Sequence, residues 1–164
     1  MTDSNDPRQH LLGLLKKFDT AMLITHAADG QWHGRPMAIA SIEDNGEMYF
    51  STSLASPKVK ELAADAEVMV TLQSSGRFAT IQGVTEIVRD RAVIDRLWSE
   101  AWRVWFPDGK TDPNLCLIRL HPKHAEYWDR AGLKGLALVF EAAKAVSRHE
   151  SPTLGKDINA KVEL

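Results

Sequence analysis

Cysteine is nearly absent from this sequence of 164 residues. The one copy, Cys116, excludes an internal disulfide and any zinc module built on several thiolates. Long hydrophobic runs are missing too: Leu14-Leu15 is met at once by Lys16-Lys17, so no membrane-spanning helix is expected. Neither sign of charge dominates. Lys and Arg number 20 against 22 Asp and Glu, a formal net charge of −2. That leaves no basic field for a nucleic acid, although one small phosphate pocket stays open. The opening MTDSNDPRQH has no basic stretch leading into an apolar one, so no signal peptide is evident and a cytoplasmic protein is expected. Repeats, low-complexity runs and linkers are also lacking. The expectation is one domain over 1–164, with a core from about 8 to 148 and a polar tail over 149–164.

What is present is ordinary in bulk, at 44% hydrophobic and 26% charged, enough for a real core. Aromatics make up only 7%, yet five of them are Trp, and Trp98, Trp102, Trp105 and Trp128 crowd one region. Asp6-Pro7 caps a first helix carrying Leu11, Leu14, Leu15 and Phe18 on one face. Turns at Ala28-Asp29-Gly30 and Asp44-Asn45-Gly46 divide residues 20–53 into a three-strand meander. A short helix opens at Ser56-Pro57. EVMVTLQ and RFATIQGVTEIVR read as strands joined at Ser75-Gly76. From Asp90 a longer helix is predicted to run to Phe106, aligning Ile94, Trp98, Ala101 and Trp105 along one side. LCLIRLHPKHAEYW is a strand interrupted near His121-Pro122. A helix over about 132–148 and a short closing strand, NAKVEL, complete the chain. Hairpin-joined strands at short spacing predict an antiparallel sheet curled into a small barrel with helices around it.

The chemistry concentrates in YFSTSLASPKVKEL. A strand with Ser51, Thr52 and Ser53 hands over to a helix starting at Ser56-Pro57-Lys58. The first-turn amides of a helix lack intrahelical partners and its dipole favours an anion. A lysine there is repelled by the dipole unless an anion is near. Two readings stay open: Ser56 merely caps and Lys58 is solvated, or this end holds a phosphate. A second element is His33-Gly34-Arg35-Pro36-Met37. Pro36 marks an edge or bulge, and Arg35 is either an exposed edge residue or a fork of donors for a phosphate or a ring carbonyl.

GRPMAI, YFSTSLASPKVKEL, IQGVTEIV, WFPDGKTDP and HAEYWD, in this order, resemble the general stress protein branch of the FMN-binding split barrels. Those are relatives of pyridoxamine 5′-phosphate oxidase. The resemblance spans about residues 8–148. It implies a six-stranded antiparallel split barrel with flanking helices, working as a homodimer with FMN at the subunit interface. It places Arg35, Pro36, Met37 and Ala38 along the flavin ring, and Ser51, Thr52, Ser56, Pro57 and Lys58 around the phosphate. The oxidases carry Arg-Lys where this chain has Pro57-Lys58, so one phosphate partner is missing. Phe78 stands near their ring-contacting Gln, and Glu126-Tyr127-Trp128 matches their Glu-Phe-Trp, which brings Trp128 toward the flavin. Trp105 is divided between packing and the edge of the flavin site. The phosphate-gripping segment that follows the Trp in the oxidases is absent here, so oxidation of that vitamin is not expected.

The implied activity is an FMN-dependent oxidoreductase, taking hydride from a reduced nicotinamide or a small molecule. A non-catalytic flavin-binding stress protein and a deazaflavin reductase are the alternatives. No catalytic residue is assigned, and no metal is expected from His121 and His124. His26 and His33 flank the first hairpin and could face each other across it. Cys116 reads as a buried packing residue.

Overall fold

The computed structural model describes residues 6–130 and 159–164. Its elements are α1 (Pro7–Leu15), β1 (Thr20–His26), β2 (Trp32–Ile42), β3 (Met48–Ser53), α2 (Pro57–Ala64), β4 (Glu67–Ser74), β5 (Arg77–Val88), α3 (Arg91–Leu97), β6 (Leu115–Asp129) and β7 (Asn159–Glu163). Short 3₁₀ turns cover Glu100–Val104 and Gly109–Thr111. The strand order is β3-β2-β1-β4-β5-β6, every pairing is antiparallel, and β3 also pairs with β6. That last seam closes the sheet on itself. The result is the expected six-stranded split barrel, with β7 added along the far half of β6. The helix predicted over 132–148 lies outside the described residues. None of the described helices is long and apolar enough to cross a membrane.

Alternation along the strands explains the two cores. Leu23, Phe50, Val70, Ile81, Ile118 and Tyr127 point into the barrel, where Leu11, Leu14 and Leu15 of α1 join them. On the opposite face of β3 and β6, Tyr49, Leu115 and Leu117 pack against Ile94, Trp102 and Phe106. This second cluster seats the segment that follows β5.

The structure alters the sequence reading in that segment. The long helix predicted from Asp90 to Phe106 stops at Leu97, and Trp98 and Ser99 turn to extended ψ angles of 135°. Ser99 then accepts a hydrogen bond from the Ala101 amide and starts a new, tighter turn. A serine side chain offers the backbone this local alternative, which helical periodicity does not register. The indoles therefore do not share one helical face. Trp98 and Trp102 meet edge to face at 5.6 Å, while Trp105 is exposed.

His121-Pro122 does not interrupt β6. The register instead slips there, from Gln82 opposite His124 to Gly83 opposite Pro122, leaving Lys123 as the extra residue of a bulge. Gly83 is required at this place, because a Cβ on it would lie 2.2 Å from the His121 carbonyl oxygen. Nor do the two histidines of the first hairpin face each other. His26 is opposite Trp32 and stacks on it at 4.6 Å, while His33 is opposite Thr25.

Candidate functional site

The end of β3 and the start of α2 open onto a pocket of about 440 Å³. Pro36, Met37 and Ala38 of β2 form one wall and Ser51, Thr52 and Ser53 of β3 another; Ser56, Lys58, Trp105 and Phe106 complete it. A volume of that size falls within the roughly 300–1,000 Å³ usual for cofactor sites.

Lys58 is the centre of the polar end. Its ammonium donates to Ser56 Oγ at 2.8 Å and Thr52 Oγ1 at 3.1 Å, and it has no carboxylate in contact among the described residues. Burial first, and the Arg35 charge second, hold its pKa below the ordinary value. Ser56 stands at the N-cap position but makes no side-chain cap bond, so its hydroxyl is free to serve Lys58. Proline at the next position has no amide proton. Four hydroxyls and an ammonium thus converge where the helix dipole favours negative charge. The chemistry of this donor set fits a phosphate ester.

Arg35 sits differently from the sequence expectation. It points inward on β2, beneath α2, where its Nη1 donates to Glu61 Oε2 at 2.9 Å and to Thr25 Oγ1 at 2.8 Å. Nη2 donates to Glu61 Oε1 at 3.3 Å. Thr25 Oγ1 donates to Glu61 Oε2 at 2.6 Å, and His33 Nδ1 lies 3.0 Å from Glu61 Oε1. Hydrogen bonds from Arg35 first, then from Thr25 and His33, pull the Glu61 carboxyl down to about 2 against the cost of burial. The guanidinium is therefore clamped by a carboxylate and acts on Lys58 through its field.

Of the twelve candidate residues read from the sequence, eight line the pocket: Pro36, Met37, Ala38, Ser51, Thr52, Ser56, Lys58 and Trp105. Pro57 lies between two of them. Phe78 and Trp128 are opposite each other on β5 and β6 and line a separate cavity of about 390 Å³ with Thr71, Gln73 and Arg130. One chain does not bring them to Lys58. The sequence reading missed Phe106 and Glu61. Phe106 lay in the quoted WFPDG motif, and His33 and Arg35 at alternate positions signalled a polar stripe on one face of β2. No local pattern tied that stripe to Glu61, which another element brings in. Among the described residues no group of three His, Cys, Asp or Glu side chains is placed to hold a metal.

A closed antiparallel barrel of six strands, with a helix start that opens onto a pocket between two of its strands, defines a split barrel. This chain belongs to the pyridoxamine 5′-phosphate oxidase-like family, whose sequence model matches residues 6–153. The structure is similar to that of a general stress protein 26 from Jannaschia sp. CCS1, with a TM-score of 0.74 and 27% identity over 94% of this chain and 96% of that one. The general stress FMN/FAD-binding protein of Xanthomonas citri is 33% identical, with a TM-score of 0.67 over 79% of this chain and 94% of its own. General stress protein 26 of Bacillus subtilis (strain 168) is 27% identical over 126 residues, 74% of this chain and 87% of that protein.

Proposed function

We propose that this chain is a flavoprotein that binds FMN, with the phosphate at Lys58 and the start of α2 and the ring system along Pro36–Ala38, and that it works as a homodimeric oxidoreductase. The observation that carries the reading is Lys58, half-buried at the start of α2, facing hydroxyls, with a second cation nearby and no carboxylate in contact with it among the described residues. The Xanthomonas citri relative, described as FMN/FAD-binding, supports it.

A bound flavin supplies hydride and single-electron transfer. The chain's own residues hold and orient it. Lys58, Thr52 and Ser56 donate to the phosphate, and the β2 wall, with Pro36 and Ala38 facing outward, offers an apolar surface to a planar ring. Asp129 and Arg130 follow Trp128 without the oxidases' phosphate-gripping segment, so the substrate is not pyridoxamine 5′-phosphate.

The separation of the two cavities supports the homodimer. The Phe78–Trp128 cavity and exposed Met22 lie on the sheet face that a second copy would cover, bringing that aromatic pair against the phosphate pocket of its neighbour. A role in stress response accompanies this reading, supported by the names of the relatives.

Purified protein incubated with FMN is expected to turn yellow, to elute as a dimer and to release FMN on denaturation. Oxidation of NADH or NADPH by the loaded protein then tests turnover. A colourless protein that takes up no FMN would remove the proposal.

A further inference from the structure

Trp105 is out of keeping with its surroundings. Its neighbours Trp102 and Phe106 are 6% and 5% exposed, whereas Trp105 is 69% exposed. The backbone holds it there: the amides of Trp105 and Phe106 both donate to the Trp102 carbonyl, each at 2.9 Å. Val104 beside it is exposed as well. Trp32 rests on His26 and Trp98 on Trp102, but Trp105 stacks on no ring among the described residues. Two buried aromatics thus anchor a turn that keeps an apolar knob in water at the rim of the Lys58 pocket. Keeping that much apolar surface wet is unfavourable for a lone chain, and such surface marks an interaction site.

The Phe78–Trp128 cavity is its counterpart. It is about 390 Å³ in volume and is lined by Leu72, Ala79 and the two aromatic rings, with Arg130 also in the lining. Phe78 is exposed, so the cavity is open to an entering group. An indole suits it in size and in chemistry, because aromatic rings gain from edge and face contacts beyond their area. Charge is complementary too. Arg130 is exposed and has no carboxylate in contact among the described residues, while the adjacent Asp129 is paired with Arg77 at 3.6 Å. Asp108, in the loop that follows Trp105, is exposed and has no cation in contact among the described residues; Lys110 pairs with Asp95 and Arg103 with Glu100.

Knob and cavity lie at separate places in one chain. A two-fold axis therefore brings the knob of each copy to the cavity of the other and makes the contact twice. We propose that Trp105 anchors the homodimer: its indole enters the Phe78–Trp128 cavity of a second copy, with Asp108 facing the partner's Arg130. This rests on the homodimer of the reading above and names the residues that make it. Because Trp105 also lines the Lys58 pocket, one side of that pocket is then walled by the second copy.

The test is the dimer dissociation constant of the full chain, measured by sedimentation over a dilution series with and without FMN. Trp105→Ala is expected to raise it about a hundredfold, roughly tenfold for each of the two symmetric contacts, and Trp105→Phe to restore most of the loss. Phe78→Ala is expected to weaken the dimer as well, and the double variant to be little weaker than either single one, as for two partners in one contact. Asp108→Arg is expected to weaken the dimer at low salt, and Arg130→Asp added to it to restore the assembly. A wild-type dimer unmoved by Trp105→Ala overturns the proposal and leaves the homodimer standing; a double variant whose losses simply add does the same. FMN affinity that falls in Trp105→Ala while the dimer is unmoved assigns the indole to the ligand instead. A wild-type chain that is monomeric under both conditions overturns the homodimer itself.

Discussion

Two side chains on one helix set the electrostatics of the pocket. Lys58 and Glu61 are one turn apart on α2, the first facing hydroxyls and the second clamping Arg35. Lys58→Ala removes a charge-assisted contact of roughly 1.5–3 kcal/mol, so FMN affinity is expected to fall at least tenfold while thermal unfolding changes little. Equal affinity by fluorescence titration would end the phosphate assignment. Glu61 governs stability instead. Its carboxyl titrates near 2 in the fold against an ordinary 4.5, so its stabilising effect is complete above the ordinary value and is lost as pH falls toward 2. Glu61→Gln is therefore expected to cost about 2 kcal/mol at pH 7. Between pH 4.5 and 2 the difference from wild type should shrink toward zero in denaturant melts. Cys116, by contrast, has its thiol pushed up to about 11 by burial and contributes packing.

At the scale of elements, the bulge in β6 depends on a residue in its neighbour. Gly83 gives room to the His121 carbonyl, so Gly83→Ala must displace backbone and not merely a side-chain tip. A loss of about 2–3 kcal/mol in chemical denaturation is expected, with Gly13→Ala, which meets nothing within 4 Å, as the harmless control. A destabilisation no larger than the control's would show that β6 can shift its register. These elements also show what a sequence discloses. The meander, the Ser56-Pro57 helix start and the hydroxyl run were legible because turn chemistry and capping are local. The break at Trp98-Ser99 was not, since periodicity over Asp90–Phe106 was satisfied by either one helix or two turns. Lys58 could be marked as a candidate from its own neighbours, with a solvated lysine as the open alternative, and the fold places it in the pocket. Arg35 could not, because Glu61, which turns it inward, is brought by another element and matches no motif with it.

The whole molecule divides its aromatic resources between two faces. Trp102 and Phe106 stabilise the turn beside the Lys58 pocket, and Phe78 with Trp128 lines a second, distinct cavity. In the proposed homodimer, each cavity would be completed by the second copy. The barrel core contains none of the pocket residues except Met37, while the second cluster shares Phe106 with the pocket.

The β3–β6 seam has a consequence in time as well as in space. It joins Met48 to Leu120 and Ser53 to Leu115, pairings distant along the chain that form late because a long loop must close first. Thr52, a wall of the pocket, is part of that seam. Bound FMN should then slow unfolding in stopped-flow experiments and leave the refolding rate unchanged; faster refolding would place the seam early. A flavin bound there as proposed would act as a latch on the closed barrel. In a cell, the supply of flavin would set how long each copy of this protein survives, and so its abundance, before any turnover is counted.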